Sequence, residues 1–321
     1  MAFDADMIAD RRRLRRKLSF WRVAAILVLV LAVGAGAFVW SGRAGLPGTG
    51  QQIARVSISG LITGDQRTAD LLKRVGDSTA VRGVVISINS PGGTTSGSEE
   101  LFQRIRELSA KKPTVAFVDG LAASGGYITA MAADRIVARE TALVGSIGVL
   151  FQYPDFSNLM GKVGVSVGTI KSAPLKAEPS PFSPTPPEAI AALQSVVNDT
   201  FAWFKHLVSE RRGIAGEQLQ FVSDGRVFSA RQGLPLKLVD QLGSERDAIA
   251  WLEREKGVPA SLPVRDWKPR DTSRFSFWSL AALGADLAGF EELAASIRST
   301  AFGAVKLDGL LAVWQPHSTD R

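Results

Sequence analysis

The stretch "PTVAFVDGLAASGGYITAMAAD", residues 113–134, joins two apolar runs through a turn of small residues. The first run, "TVAFV", has the β-branched and aromatic composition of a strand. The second run follows two glycines and has the composition of a helix. This order of strand, turn and helix is the repeating unit of an α/β domain, and it places Ser124 in the turn.

The same alternation extends in both directions from this stretch. "VRGVVISIN" at residues 81–89 is a predicted buried strand, and "SGSEELFQRIRELSA" at 96–110 is a predicted capped helix. Three more segments are predicted strands: "RIVARE", "GSIGV" and "VGVSVGTIK". Strands that alternate with helices predict an α/β domain with a largely parallel sheet, which we place at residues 53–260.

The pattern changes after this domain's first half. "SAPLKAEPSPFSPTPPE", residues 172–188, is too rich in proline for a regular helix or a central strand, and is predicted to be an extended loop. A long amphipathic helix should follow, beginning at Pro187 and ending at Gly213. Residues 261–321 form an apolar-rich C-terminal tail whose role the sequence leaves open.

Charge and composition exclude some classes of function. The chain carries a net charge of +7, of which residues 1–22, with seven basic and three acidic residues, contribute +4. The remaining +3 is spread without a dense basic stripe, so we expect no nucleic-acid partner. The chain has no cysteine, which excludes disulfides and thiolate catalysis. No histidines or carboxylates have the spacing of metal ligands, and no metal site is predicted.

An uncharged apolar run follows the basic segment "RRRLRRK". Residues 23–40 are long enough to cross a bilayer as a helix, and Trp21 and Trp40 suit the two interfaces. We therefore predict one N-terminal transmembrane helix. The positive-inside rule places residues 1–22 in the cytoplasm and the rest of the chain outside it.

Two other interpretations of this run remain open. Residues 35–37, "AGA", resemble a processing site, so the run is also compatible with a cleaved signal peptide, although it is longer than a usual one. A buried soluble helix is disfavoured because the run has no amphipathic face. A glycine-rich and flexible linker, residues 41–52, follows.

Two glycine-bearing turns follow predicted strands. "NSPGG", residues 89–93, comes after "VVISI", and "ASGG", residues 123–126, comes after "TVAFV". Functional sites of α/β sheets form at the carboxyl ends of strands, where such turns can present backbone N–H groups to a developing oxyanion. A phosphate-binding loop is disfavoured because no Gly-Lys-Ser/Thr follows. Turns that need glycine only for their shape are the remaining alternative.

A nucleophilic Ser124 would need a base. His206 lies inside the predicted long helix and His317 lies four residues from the end, so a Ser-His-Asp triad is disfavoured. A lysine amine can act as base when it is neutral, and burial favours the neutral form. "KSAPLKAEPSPF" offers two candidates. Lys176, in a proline-stiffened loop with apolar neighbours, is preferred to Lys171, which should be solvated at the end of a predicted strand.

The combination of "NSPGG", "AASGGYITAMAAD", "LVGSIGV", "KSAPLKAEPSPF" and "DGRVFSARQGLPLKLVDQLG" resembles bacterial signal peptide peptidase A in its short, single-copy form. The motifs keep that family's order and spacing across residues 53–250, and the N-terminal anchor matches as well. The resemblance implies a ClpP/crotonase-like fold and a serine protease with a Ser-Lys dyad that needs no cofactor. The region beyond residue 260 matches less clearly.

The resemblance also implies roles for single residues. Ser124 aligns with the nucleophile and Lys176 with the general base. Gly93, preferred to Gly92, and Gly125 align with the oxyanion donors, and Ser146 with a residue that supports the lysine. The family's long members carry two tandem copies that share one dyad, so a single copy is expected to form a homo-oligomer with active sites between subunits.

The implied substrates are remnant signal peptides and other hydrophobic peptides at the outer side of the bacterial cytoplasmic membrane. Three rival functions share some of these features. An acyl-CoA enzyme of the crotonase type would not need the anchor or the serine and lysine. A membrane-tethered scaffold would tolerate changes at both residues. A membrane-bound partner protease of a stomatin-like protein is disfavoured by the position of the lysine in "PLKAEPSPF".

Overall fold

The computed structural model describes residues 50–269, the backbone of strand Leu311–Val313, and eight positions between Lys17 and Gly34. The fold belongs to the compact unit that begins at Gln51. The predicted transmembrane helix at residues 23–40 lies outside the described residues except at four positions. Within the described part of the chain, no helix has the length and apolar character needed to cross a membrane.

Nine strands form one sheet in the described part of the chain. They are β1 (Gln52–Ile62), β2 (Val81–Thr94), β3 (Thr114–Ala123), β4 (Ile136–Ala138), β5 (Leu143–Gly145), β6 (Val227–Ser229), β7 (Gln241–Leu242), β8 (Val264–Trp267) and β9 (Leu311–Val313).

Eight helices of the same region accompany the sheet. They are α1 (Gln66–Asp77), α2 (Thr95–Ser109), α3 (Gly125–Met131), α4 (Ser157–Lys162), α5 (Pro187–Arg212), α6 (Gly216–Val222), α7 (Ala230–Gly233) and α8 (Glu245–Lys256).

The sheet is largely parallel, which confirms the predicted α/β class. Its main path runs β6-β5-β3-β2-β1-β8, with β4 paired to β3 and β7, and β9 paired to β2. Only the β5–β6 and β2–β9 pairs are antiparallel. Strand β8 pairs with β1, so the sheet extends past residue 260, the predicted end of the protease domain.

The parallel strands are buried on both faces, as expected when helices cover a sheet from two sides. Ile86 and Ile88 of β2 belong to the larger apolar core, which includes side chains of α1, α2 and α3. Val85 of the same strand belongs to the second core, with Trp251 and Leu252 of α8. Alternate residues of β2 therefore fix its register against helices on opposite faces.

Two predicted strands differ from the structure. "GSIGV", residues 145–149, shares only Gly145 with β5. Residues 163–171, "VGVSVGTIK", form no strand. The residues Val163, Val165 and Val167 are 65, 50 and 48 % exposed. The alternation is present in the sequence, but no strand in the described part of the chain pairs with this segment. The long helix, in contrast, has the predicted limits: α5 begins at Pro187, and Gly213 ends it in the left-handed region with φ 62°.

Candidate active site

Ser124 lies at the junction between β3 and α3. Its backbone has φ 53° and ψ −117°, a conformation that a residue with a Cβ rarely adopts, and its residue surface is only 1 % exposed. The Ser124 N–H donates to Gly145 O at 2.8 Å, which ties the turn to the end of β5. Such strain concentrates at functional sites, because the surrounding structure must enforce it.

Ser146 occupies the equivalent position on the adjacent strand. Ala123 of β3 and Gly145 of β5 are paired in parallel register, so Ser124 and Ser146 are the next residues at the same sheet edge. Ser146 also has a positive φ, 49°, and its N–H donates to Arg226 O at 2.8 Å. The structure thus brings these two predicted site residues to one edge, both with strained backbones.

The first glycine turn differs from its prediction, because "NSPGG" does not follow β2 but lies within it. Ser90 is fully buried at the centre of this segment. Its hydroxyl donates to Gly60 O at 2.7 Å and accepts the N–H of Gly92 at 3.1 Å. The N–H of Gly92 therefore has a hydrogen-bond partner within the turn.

Gly93 leaves no room for a side chain. A Cβ at this position would lie 1.8 Å from the carbonyl oxygen of Ile62, its register partner in β1. The close approach of the two backbones therefore requires glycine here. This is a steric requirement, separate from any role of its N–H group.

The two glycine turns contact each other directly. Gly125 and Gly126 open α3, and a Cβ on Gly126 would lie 2.6 Å from Ser90 O. Ser90 is also paired in register with Ala122 of β3. The packing of α3 on the Ser90 turn places the Ser124 turn and the Gly93 turn side by side.

Every residue of α3 is buried, and the helix is held at both ends. Arg211 of α5 donates to Met131 O and Ala133 O at 2.9 and 3.0 Å, which satisfies carbonyls at the C-terminus of α3. The hydroxyl of Tyr127 donates to Leu238 O at 2.9 Å. Burial raises the pKa of Tyr127 well above its ordinary range, so this phenol is a neutral donor.

Lys176 lies elsewhere in the chain, in the proline-rich loop after α4. It is exposed, and its backbone N–H donates to Ala173 O at 3.1 Å. In the described part of one chain, no hydrogen bond joins Lys176 to Ser124. The structure therefore assembles the serine and glycine residues of the predicted site but does not bring the lysine to them.

The prediction that Lys171 is solvated is wrong. Its side chain is only 21 % exposed and forms an ion pair with Glu178, whose side chain is 6 % exposed. No feature of the sequence pattern marked this pair, since both residues were assigned to irregular or exposed segments. The hydrogen bonds of Ser90 were also missed, although a serine inside an apolar strand was a signal that could have indicated them.

The histidines do not enter the site in the described structure. The side chain of His206 is 76 % exposed on α5, and its Nε2 lies 4.0 Å from the carboxylate of Glu210, one turn further along the helix. His317 lies outside the described residues. The described geometry therefore gives no support to His206 as a base for Ser124.

Comparison with known proteins gives this arrangement a family context. Residues 106–259 match the family model of peptidase family S49. A protein of Methanocaldococcus jannaschii that is named as a protease is 38 % identical over 189 residues, which cover 59 % of this chain and 61 % of that protein. A protein of Enterococcus faecium that is named as a signal peptide peptidase is 30 % identical over 260 residues, which cover 77 % of this chain and 74 % of that protein.

The solved structures include a membrane-bound stomatin-specific protease with a TM-score of 0.47 and 17 % identity. The match covers 69 % of this chain and 100 % of that chain.

Proposed function

The chain belongs to peptidase family S49, and from this premise we propose that it is a membrane-anchored endopeptidase that degrades remnant signal peptides and other hydrophobic peptides. The family and its protease-named relatives make it a serine protease. The observation that carries the proposal is the position of Ser124, which is buried and has a strained backbone. It lies in one of two glycine turns that pack against each other.

The proposed reaction uses Ser124 as nucleophile and Lys176 as general base. Neutral Lys176 accepts the proton of Ser124 while Oγ attacks a peptide carbonyl carbon, and the backbone N–H groups of Gly93 and Gly125 stabilise the oxyanion. The protonated amine then transfers its proton to the leaving amine. Water hydrolyses the acyl-enzyme by the same steps, and Ser146 supports Lys176 by hydrogen bonding. No cofactor takes part.

A second copy of the chain would bring a lysine to Ser124 and cover the exposed segment that carries Lys176. Lys176 is exposed, and a base must be neutral, a state that burial favours. Large apolar side chains are also exposed between residues 150 and 196, in the segment that carries the lysine. These are Leu150, Phe156, Leu159, Val163, Val165, Val167, Ile170, Leu175, Phe182, Ile190 and Val196. We therefore propose a homo-oligomer in which Lys176 reaches the partner's serine.

The edge of β2 beside the site is the proposed binding place of an extended peptide. β3 pairs with β2 only as far as Ser90, and β1 occupies the opposite edge of β2. The chain's own β9 pairs with Gly92–Thr94 in antiparallel orientation on the edge that β3 leaves. Peptides bind to such edges through backbone hydrogen bonds, with pockets for alternate side chains, so a substrate is proposed to occupy this edge.

The location of the enzyme is proposed from the sequence alone. Residues 23–40 would anchor the chain in the bacterial cytoplasmic membrane, with residues 1–22 in the cytoplasm. The protease domain would then lie on the outer side, where cleaved signal peptides remain in the bilayer. Deletion of residues 1–40 should abolish attachment of the protein to the bilayer without other loss, and this result would support the placement.

The decisive experiment is cleavage of a synthetic signal peptide by the full chain, beside Ser124→Ala, Lys176→Ala and His206→Ala. The proposal predicts that the first two variants are inactive and that the third matches the unmodified protein, because the side chain of His206 is exposed on α5 and lies near Glu210 of the same helix. Cleavage by Ser124→Ala would overturn the proposed mechanism. Cleavage of polar peptides alone would overturn the proposed substrate class.

A further inference from the structure

The loop that carries Lys176 is closed by an ion pair. The ammonium group of Lys171 contacts Oε1 of Glu178, so the two ends of residues 171–178 are tied together. The second carboxylate oxygen of Glu178 accepts the N–H of Ser180 at 2.9 Å. Lys176 therefore lies inside a loop whose two ends are fixed by one carboxylate.

The backbone within this loop is also constrained. The N–H of Lys176 donates to Ala173 O at 3.1 Å, and the N–H of Glu178 donates to Leu175 O at 3.3 Å. Ala177, between them, has a φ of 62°, in the left-handed region that a residue with a Cβ rarely adopts. These hydrogen bonds and the positive φ of Ala177 constrain the backbone of the loop, and Lys176 is exposed within it.

The ion pair is more enclosed than an ordinary surface pair. The side chains of Lys171 and Glu178 are 21 and 6 % exposed, whereas those of Lys111 and Asp77, a comparable pair on the surface, are each 53 % exposed. An exposed pair contributes little to stability, but removing one partner of an enclosed pair leaves a charge without compensation. The position of the loop should therefore depend on both residues.

The carboxylate of Glu178 stays ionised over a wide pH range. The hydrogen bond from Lys171 and the backbone N–H of Ser180 both lower its pKa. A carboxyl whose pKa is lower in the folded state stabilises that state above the unfolded pKa, and the contribution is lost as the pH falls through the lower folded value. The ion pair between Lys171 and Glu178 is therefore intact at neutral pH.

The pair also distinguishes the two lysines. The amine of Lys171 is engaged by the carboxylate of Glu178, whereas the amine of Lys176 has no ion pair in the described structure. The geometry is therefore consistent with Lys176 as the base and with a different role for Lys171.

We propose that Lys171 and Glu178 are positioning residues that hold the 171–178 loop so that Lys176 can reach the nucleophile. This inference rests on the proposed function, because it takes Lys176 as the base. It assigns no chemistry to Lys171 or Glu178 themselves. From the sequence, Lys171 was a base candidate that was not preferred, and Glu178 had no assigned role.

The test compares Lys171→Met, Lys171→Arg and Glu178→Gln in the full chain, with kcat and KM measured on a synthetic signal peptide. Lys171→Met keeps the apolar stem and removes the charge, Lys171→Arg keeps the ion pair, and Glu178→Gln removes only the carboxylate charge. We expect Lys171→Met and Glu178→Gln to lower kcat at least about tenfold with KM within about twofold. Lys171→Arg should retain most of kcat.

Lys111→Met, which breaks the exposed pair with Asp77, is the matched control and should leave kcat unchanged. Thermal unfolding of each variant measures stability separately. If Lys171→Met does not give folded protein, Glu178→Gln becomes the deciding variant. A value of kcat in Glu178→Gln equal to that of the unmodified protein would overturn the inference.

Two further outcomes separate this inference from the proposed function. Arginine stays protonated and cannot act as a base, so an inactive Lys171→Arg of normal stability would show that Lys171 is itself needed in its neutral form, which contradicts a positioning role. An active Lys176→Ala would instead remove the proposed dyad. With Lys176→Ala inactive and Lys171→Met fully active, only the positioning inference fails.

Discussion

Single residues of the site are held by backbone geometry more than by side-chain contacts. Ser124 and Ser146 both have a positive φ. Ser124 directly follows Ala123 and Ser146 directly follows Gly145, and these two preceding residues are paired in register on adjacent strands. The N–H groups of Ser124 and Ser146 donate to backbone carbonyls of Gly145, in β5, and of Arg226, the residue before β6. The rigidity of the sheet edge therefore determines where the proposed nucleophile lies.

Gly93→Ala should damage both fold and activity. The added Cβ would meet the backbone oxygen of Ile62 at 1.8 Å, and a backbone atom cannot move aside as a flexible side chain can. We expect a loss of stability of at least about 1–3 kcal/mol, with little or no peptide cleavage. Thermal unfolding and a cleavage assay measure the two effects.

Gly76→Ala is the control for this substitution. A Cβ at Gly76 would lie 3.4 Å from side-chain atoms of Leu108 and Lys111, an ordinary contact, and alanine is favoured over glycine inside α1. Its stability should be equal or slightly higher. A Gly93→Ala protein as stable and as active as Gly76→Ala would contradict the close strand approach.

Ser90→Ala should lower kcat by loosening the glycine turn. Its hydroxyl links Gly60 O to the N–H of Gly92, and its removal leaves both buried groups without this partner. A cost of about 1–3 kcal/mol in stability is expected for such unsatisfied groups. Steady-state kinetics of peptide cleavage would show the fall in kcat.

Ser98→Ala provides the comparison for Ser90. Ser98 is equally buried, but its hydroxyl donates to the carbonyl of Thr94 one helical turn earlier, and that contact is local to α2. Its loss should affect kcat little. Equal kinetics of the two alanine variants would indicate that Ser90 has no special role in the turn.

At this scale the sequence predicted what a local signal marks. The order of strand, small-residue turn and helix placed Ser124 at the junction of β3 and α3, whereas "NSPGG" was predicted to follow a strand and lies within β2. The partners of Ser90 and Lys171 were not predicted. The Ser90 hydrogen bond crosses to a strand 30 residues away, and the Lys171 pair forms only because its loop folds back.

At the scale of elements, β9 occupies the edge that a substrate is proposed to use. Residues Leu311–Val313 pair with Gly92–Thr94, directly beyond the point where β3 leaves β2. An extended peptide that binds there must replace this strand. The C-terminal segment is therefore expected to compete with substrates.

Ala312→Pro tests this competition. Proline cannot donate a backbone hydrogen bond and is disfavoured in a paired strand, so it should weaken the pairing of β9 with Gly93. We expect a lower KM for peptides with kcat little changed. Ala312→Val, which favours a strand, should show no such decrease, and an identical KM in both variants would argue against competition.

Elements were predictable where sequence signals marked both of their ends. Pro187 and Gly213 bound α5 as expected. The strand predicted at residues 163–171 failed because alternation describes a strand's faces but not its neighbours, and a strand needs hydrogen-bonding partners that only the tertiary fold supplies.

At the scale of the whole molecule, the described part of one chain shows no hydrogen bond between Lys176 and Ser124. Lys176 and many large apolar side chains between residues 150 and 196 are exposed, while Ser124 is buried in the sheet edge. The sequence could suggest an oligomer only through resemblance to a family. The exposed segment provides a physical reason for it, since apolar surface of this kind is stabilised by burial.

Mixed oligomers test whether the site is shared. Ser124→Ala and Lys176→Ala should each be inactive, whereas their co-expression should restore about a quarter of normal activity, because random pairing joins an intact serine to an intact lysine at that frequency. Native mass spectrometry verifies that mixed oligomers form. Their complete inactivity would indicate that each site is contained in one subunit.

The central claim, that Ser124 is the nucleophile, is tested most directly by covalent labelling. The full chain would be treated with a fluorophosphonate, which reacts with activated serines, and digested for mass spectrometry. The account predicts one adduct on Ser124, no adduct in Ser124→Ala, and a strongly reduced rate of labelling in Lys176→Ala. An adduct on another serine, or peptide cleavage that continues after Ser124 is fully labelled, would contradict it.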